Sequence, residues 1–351
     1  VIKYLGSKRL LVPEIVRLIR AVPGCESVAD FFGGTSRVGH GLKREGFRVL
    51  ASDHNAYAHA LARCYVEADR ESVEADATKI LRELSALPGT PGYFTQTFCV
   101  DARYFQPKNG ERIDAIRNEI VRLSLPPELE SVLLVSLMEA ADRVDSTTGV
   151  QMAYLKQWAA RASRDLELRM PDVLPRARHG KGRAFLGDVL EAAREFEADV
   201  AYLDPPYNQH KYLGNYHVWE TLVLWDAPEA YGLARKRVDC RERTSAFNSK
   251  RTFRESFTAL VRSVRAPWLI VSFSDEGFLP REELELILAS RGSVRVFAHD
   301  YKRYVGAQIG VYNPKGELVG TPGKARNREF LFVVAPDDAA LAEFDAALPN
   351  R

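Results

Sequence analysis

The chain reads as an α/β protein: a sheet with helices on its faces and a second, mainly helical subdomain inserted into it. Three observations predict this. Short apolar runs at 27–32, 47–51, 200–203, 268–273, 294–298 and 330–334 have strand length and alternate with stripes of helical period. Strand, glycine turn, helix, strand and acid follow one another across 27–53, the layout of a nucleotide-binding βαβ unit. Between about 93 and 180 strand alternation disappears.

Taken in order, residues 3–9 form a loop in which Gly6 separates aromatic and basic residues. A helix begins at Pro13, where a missing N–H costs nothing, and carries Ile15, Val16, Leu18, Ile19 and Val22 on one face. The strand at 27–32 runs into Gly33-Gly34-Thr35-Ser36-Arg37-Val38-Gly39 and a helix through Leu42. Ser36 stands where the middle glycine of the dinucleotide fingerprint would be. The next strand ends at Ser52-Asp53, where an acid suits a ribose hydroxyl or a helix cap. Residues 56–87 are helical and close on a Pro88-Gly89-Thr90-Pro91-Gly92 loop, a boundary signal. Helical stripes follow at Ile113, Ile116, Ile120 and Leu123, and at Leu129, Val132, Leu133, Leu137 and Ala140, with a third helix expected over 149–168. The sheet resumes at 184–188, ending in Gly187-Asp188. The division is therefore 1–90 and 181–351 as one domain, with 91–180 as the insertion.

Composition excludes several classes. Of the 351 residues, 46% are hydrophobic and 27% charged, which suits a globular chain with a large core rather than a disordered one. Cys25, Cys64, Cys99 and Cys240 are scattered without a Cys-x-x-Cys pair, so neither a disulfide framework nor a structural zinc site is expected, and the natural compartment is a reducing cytoplasm. No apolar stretch approaches the ~20 residues that span a bilayer, and no signal-peptide core follows the first lysines. With a net charge of only +2, any affinity for a polyanion must come from local patches.

The chemistry concentrates after the apolar run at 200–203, where Asp204-Pro205-Pro206-Tyr207-Asn208 stops the strand abruptly. A stiff loop at a strand's carboxyl end is where open α/β sheets bind ligands. It offers a carboxylate, carbonyls and a flat ring, groups suited to gripping an amino group on a planar base. Directly downstream, Arg235, Lys236, Arg237, Arg241, Arg243, Lys250, Arg251 and Arg254 outnumber Asp239, Glu242 and Glu255. Tyr212, Tyr216, Trp219, Tyr231, Phe247 and Phe253 lie among or near them. A charge run is ordinarily a solvated face, but beside a base-gripping loop it suits phosphate contact.

Taken together, Lys3-Tyr4-Leu5-Gly6-Ser7-Lys8, the 30–39 turn, Asp53, Gly187-Asp188 and Asp204-Pro205-Pro206-Tyr207 resemble the alpha-group DNA adenine-N6 methyltransferases, of the Dam and restriction-modification types. Tyr216-His217 with Glu220, the 272–277 segment and Tyr301-Lys302-Arg303-Tyr304 are similar to the restriction-modification branch, as are 103–105, 113–117 and 149–156. The resemblance implies a seven-stranded, Rossmann-like mixed sheet binding S-adenosyl-L-methionine, with the insertion as target-recognition region. It implies that Tyr4 and Lys8 cover and pair with the methionine end of the cofactor, and that Asp30, Phe32, Gly34, Thr35 and Ser36 form the close-approach turn. Asp53 would take the ribose and Asp188 the cofactor's adenine amine, with Asp204 at the reacting end. Double-stranded DNA would meet Tyr212, Tyr216, His217, Arg235, Lys236, Arg237, Lys250, Arg251, Lys302 and Arg303, and a restriction endonuclease would be the functional partner.

The residues themselves suggest the mechanism. Adenine N6 is a poor nucleophile because its lone pair is delocalised into the ring. A carboxylate at Asp204 and a carbonyl, that of Pro205, accepting its two hydrogens would draw the nitrogen towards tetrahedral geometry. No metal is required. In duplex DNA the base must leave the stack, at a cost of a few kcal/mol. Stacking on Tyr207 would return ~1–3 kcal/mol. The same loop can grip cytosine N4 or an adenine of ribosomal RNA, and a silent nucleic-acid-binding relative would keep the fold. A nicotinamide dehydrogenase would use the glycine turn but leaves the Asp-Pro-Pro-Tyr loop without a role.

Overall fold

The computed structural model describes residues 2–207, 209, 211–302, 311–312, 318–320 and 326–348. Seven strands make one sheet: β1 (Ser27–Phe31), β2 (Arg48–Asp53), β3 (Arg183–Leu186), β4 (Val200–Leu203), β5 (Trp268–Ser274), β6 (Ser293–Lys302) and β7 (Arg326–Ala335). Their order is β3-β2-β1-β4-β5-β7-β6. Strands β2, β1, β4 and β5 pair in parallel, and β7 runs antiparallel between β5 and β6. This is the Rossmann-like mixed sheet expected. Its chain order reverses between β1 and β4, which opens a crevice beyond their carboxyl ends.

The central strands are apolar on both sides because both faces are covered. Phe31, Leu203, Leu269, Val271, Phe330 and Phe332 point into one buried layer, against Phe253, Phe257 and Leu260 of the helix Lys250–Ser263. Val28, Val200, Tyr202, Ile270, Leu331 and Val333 point into the other. That second layer is closed by α1 (Val12–Arg20) and α2 (Arg37–Arg44).

Gly39 lets α2 approach the sheet. An added Cβ would lie 2.8 Å from Val66 Cγ2 and 3.1 Å from Asp30 Oδ2. Alanine gains about 1 kcal/mol of helix propensity there but overpacks by about 1–3 kcal/mol. Gly39→Ala is therefore expected to cost up to about 2 kcal/mol net, read as a lower urea midpoint at unchanged m-value.

A third core joins the helices after residue 90 to the rest. Ile113, Ile116 and Ile120 of α5 (Pro107–Leu123) and Val132, Leu133 and Leu137 of α6 (Pro127–Val144) pack with Tyr57, Leu61 and Leu84, and with Trp219 and Leu222. Here α3 (Ala56–Ala62) and α4 (Arg70–Ala86) are separate helices rather than one. A π turn, Arg63–Glu67, and an extended Ala68 divide them.

The helix expected over 149–168 is absent; that span holds only the 3₁₀ turn Ala160–Ser163. Its backbone and flanking polar side chains are committed elsewhere. Gln151 N–H donates to the Asn215 carbonyl, Ala159 N–H to Ser146 Oγ, and Arg161 pairs with Asp145 at 2.7 Å. Thr147 Oγ1 also donates to Asp145. Such side-chain bonds to local backbone compete with helix formation. Among the described residues no helix is long and apolar enough to cross a membrane.

Candidate active site

Each predicted acid of the site terminates a parallel strand, which is why residues far apart in sequence meet. A cleft partly open to solvent lies at the carboxyl edge of β1, β2, β3 and β4. Its walls include Tyr4, Lys8, Asp30, Phe32, Gly34, Thr35, Asp53, Asp188, Asp204 and Pro206, so one space gathers most of the expected cofactor and catalytic residues.

The turn after β1 is built on left-handed backbone. Phe32, Gly34 and Ser36 have φ of 64°, 53° and 55°. Ser36 thus keeps the conformation that glycine favours although it is not glycine, at a cost on the order of 1–2 kcal/mol. Gly34 N–H donates to Asp53 Oδ2 at 3.0 Å, tying the turn to the end of β2. The Asp53 Oδ1 accepts from the backbone and side-chain amides of Asn55. With one partner, Oδ2 retains capacity for a hydroxyl donor. Tyr4 lies across this turn: a Cβ on Gly34 would sit 3.3 Å from its ring.

Asp30 is buried below the turn, where its Oδ2 accepts from Gly39 N–H at 3.0 Å. Burial first, then the neighbouring Asp204 charge, push its carboxyl up to about 7 against the pull of that hydrogen bond. It supports the turn from beneath. Asp188, exposed at the rim, caps the helix Val189–Glu195 by accepting from Leu190 N–H at 2.8 Å. One carboxylate oxygen is thereby spent on the helix.

Asp204 stands at the inner end of the cleft with a side chain 19% exposed. Lys8 Nζ lies 3.1 Å from its Oδ1 and 2.5 Å from Glu329 Oε1, and Ser272 Oγ donates to that same Glu329 oxygen at 2.8 Å. Burial raises the Asp204 carboxyl to about 6, with Lys8 opposing the rise and Glu329 adding to it. The ammonium expected at the cofactor's methionine end is thus already held between two carboxylates. Tyr207 follows, half-buried, its ring centroid 5.4 Å from that of Phe273 and 5.6 Å from Lys8 Nζ. Its carbonyl accepts from Phe278 N–H, which fastens the loop to the segment after β5.

The opposite wall is a stack of rings. Tyr4 lies between Tyr212 and Tyr216, with centroids 5.3 and 4.6 Å away and nearly parallel planes. Tyr216 is fully buried, and its hydroxyl accepts from Leu5 N–H at 2.6 Å. Here the structure corrects the expected DNA surface. Tyr216 and His217 are both fully buried, and desolvation lowers His217 to about 3, leaving a neutral ring bonded to the Gln151 carbonyl. A buried neutral imidazole has nothing to offer a phosphate. Arg237, 3% exposed, is spent on Asp226 at 2.7 Å and Asp239 at 3.0 Å. Arg235 pairs with Asp101, Arg243 with buried Glu220 and Arg254 with Glu283. Lys250 and Arg251 remain exposed, with Lys236 and Tyr212 partly so. Lys302 ends β6, and Arg303 lies outside the described residues.

Several residues that sequence reasoning left aside also reach the cleft, including Ser7, Arg37, Ser52, Asn55 and Asn248. Ser7 Oγ, Ser36 Oγ, Ser52 Oγ and Asn55 Oδ1 are buried without a hydrogen-bond partner among the described residues. Buried polar atoms are rarely left so. Unpaired donors and acceptors beside an acid suited to ribose, at a cleft that gathers Asp53, Asp188 and Asp204, fit a nucleoside carrying an amino-acid tail. No local signal marks the serines or Glu329; only the assembled sheet brings them in.

The chain matches, over residues 4–265, the family model described as D12 class N6 adenine-specific DNA methyltransferase. It is 31% identical over 324 residues to the type II methyltransferase M.FokI of Planomicrobium okeanokoites, covering 86% of this chain and 49% of that protein. It is 29% identical to the modification methylase StsI of Streptococcus sanguinis, covering 88% and 49%. With the type II methyltransferase M.NlaIII of Neisseria lactamica the identity is 28%, covering 86% and 92%. The chain thus spans about half the length of the first two relatives and most of the third. Among solved structures it is similar to the rRNA methyltransferase aviRa of Streptomyces viridochromogenes, at 14% identity and a TM-score of 0.35, covering 99% of this chain and 90% of that one. On its match across residues 4–265, with the glycine turn and the Asp-Pro-Pro-Tyr loop meeting in one cleft, the chain belongs to the D12 class N6 adenine-specific DNA methyltransferases.

Proposed function

We propose that the chain methylates the exocyclic amine of a flipped adenine at a specific site in double-stranded DNA, as the modification half of a restriction-modification system. The observation that carries this reading is the Asp204 loop lining the same cleft as Asp53 and Asp188. S-adenosyl-L-methionine, when bound, supplies an electrophilic methyl group on a sulfonium. Asp53 would hold its ribose, Asp188 its adenine amine, and Tyr4 with the 32–36 turn its remaining length. The order of the parts, glycine turn first and Asp-Pro-Pro-Tyr last, supports the alpha-group, Dam-type arrangement.

The chain's own residues act on the substrate amine. Asp204 and the Pro205 carbonyl accept its two hydrogens, withdrawing the lone pair from the ring and aiming it. Tyr207 gives the extruded base a face to stack on. With its carboxyl at about 6, Asp204 is ionised at neutral pH and serves as an acceptor. The methylated nitrogen is acidic enough to lose its proton without a strong base. We assign target recognition to 91–180, whose helices share a core against which the cleft-wall rings Tyr4 and Tyr212 pack. A cytoplasmic location fits this substrate.

Phosphate contact in this reading falls to Lys236, Lys250 and Arg251, with Arg303 and the side chain of Lys302 outside the described positions. Replacing Lys236, Lys250 and Arg251 together with glutamine should reduce the salt slope of DNA binding by up to ~0.9 for each phosphate no longer neutralised. Arg237→Gln should instead lower thermal stability, since Asp226 loses both Arg237 bonds and Asp239 keeps only the 3.5 Å approach of Arg243. An unchanged slope in the triple variant would remove this segment from the DNA surface.

The functional reading is tested by incubating DNA with protein and S-adenosyl-L-methionine and sequencing the modified bases. The expected result is N6-methyladenine at one position of a short recurring site. N4-methylcytosine, or methylation of ribosomal RNA alone, would overturn it.

A further inference from the structure

We propose that Glu329, seated by Ser272, is a positioning residue for methyl transfer: it draws the Lys8 ammonium away from Asp204 far enough to leave that carboxylate available to the substrate amine. The inference rests on the function proposed above and deepens it.

The geometry is asymmetric. Lys8 Nζ is within hydrogen-bond distance of both carboxylates, but nearer Glu329 Oε1, at 2.5 Å, than Asp204 Oδ1, at 3.1 Å. Among the described residues no hydrogen bond is made to Asp204 Oδ2. Lys8 is 9% exposed and Glu329 8%, while Ser272 is fully buried, so these bonds are largely shielded from water. Glu329 sits on β7, between Ser274 of β5 and His299 of β6. Ser272, on the same edge of β5, fixes its carboxylate. A lysine so near a catalytic acid would, with no second anion, close onto it and fill the lone pairs the substrate amine needs. Glu329 supplies that second anion. Glu329 is 321 residues from Lys8 along the chain, so only the folded sheet assembles this relay.

Other groups face Asp204 from each neighbouring element: Asp30 on β1, Tyr202 on β4, Tyr207 in its own loop and Tyr212 across the cleft. Burial raises all three tyrosines, which stay neutral. Asp30 titrates near 7, close to Asp204, so a rate profile alone would mix the two. The sign for Glu329 is nevertheless definite. Removing its negative charge removes an upward push on Asp204 and transfers the whole ammonium to it, so the Asp204 midpoint must fall.

The experiment compares the full chain with E329Q, E329D and S272A. Carbon NMR of aspartate-labelled protein, with the Asp204 resonance identified from D204N, follows its carboxyl without DNA or turnover. Single-turnover methyl transfer is measured alongside. In E329Q the Asp204 midpoint should move to lower pH, transfer at pH 8 should fall at least tenfold, and DNA and cofactor affinities should stay within twofold. E329D should recover part of the rate, and S272A should fall between E329Q and the parent. An unmoved Asp204 midpoint in E329Q, or a rate loss that only tracks thermal stability, overturns the proposal. If E329Q does not fold, S272A carries the same two readouts, and an unmoved midpoint there overturns it equally. Should the parent methylate no adenine at all, the functional reading fails while the carboxyl titration still decides the relay.

Discussion

Asp204→Ala is expected to reduce methyl transfer by about 10³-fold while the protein still folds and binds S-adenosyl-L-methionine within tenfold of the parent. The size follows from the role. Preorganised polar groups that meet charge developing in a transition state contribute about 10²–10³ each, and here the carboxylate both orients the amine and accepts its hydrogen. A loss of 10³ corresponds to about 4 kcal/mol. Folding should survive because Lys8 keeps its shorter contact, to Glu329 at 2.5 Å, so the substitution strands no buried cation. Cofactor binding should survive because Asp53 and Asp188 lie at the ends of other strands. Asp204→Asn separates acceptance from charge: it retains one acceptor oxygen and should keep more activity than the alanine variant. The measurements are transfer of a labelled methyl group to DNA and calorimetric titration of the cofactor. Turnover within tenfold of the parent in Asp204→Ala would remove the residue from the reaction.

The legible part of this molecule was whatever a strand ending writes into sequence. An apolar run buried on both faces must stop somewhere, and its stop is marked by glycine, proline or an acid. Asp53, Asp188, Asp204 and Gly34 were readable for that reason, and parallel pairing then delivered all four to one cleft. Pairing between distant side chains leaves no such mark. Arg237 looked like part of a basic patch, yet Asp226 and Asp239 neutralise it at hydrogen-bond distance. His217 reads as polar in sequence and is fully buried beside Phe98 and Tyr104. The expected helix over 149–168 failed for a related reason, because Ser146, Asp145 and Asn215 bind the polypeptide in an irregular path that periodicity does not encode. Glu329 is the extreme case: an acid at the head of an apolar strand becomes part of the site only through β5–β7 pairing.

Lys8→Met tests the other half of that arrangement and should be the most destabilising single change at the site. Removing the ammonium leaves Asp204 and Glu329 close together in a largely buried place, and breaking such an arrangement typically costs about 3–5 kcal/mol. Partial exposure of the Asp204 side chain, 19%, argues for the lower end. The pH dependence distinguishes this from a simple packing defect. Asp204 is already raised to about 6 in the parent although Lys8 pulls it down, so without Lys8 it must rise further. A carboxyl whose folded pKa exceeds its unfolded value of ~3.9 takes up protons on folding, and stability is lost as pH rises through that interval. The parent loses this contribution between about 4 and 6. The variant goes on losing it above 6, so its deficit relative to the parent should be larger at pH 8 than at pH 5. Denaturant unfolding at the two pH values measures it. The deficit remaining at pH 5 belongs to Glu329, which no longer has its cation, and an equal deficit at both would mean that Lys8 acts on Asp204 by packing alone. Methyl transfer should follow the same sign: in Lys8→Met its acid limb moves to higher pH, opposite to the shift that neutralising Glu329 produces.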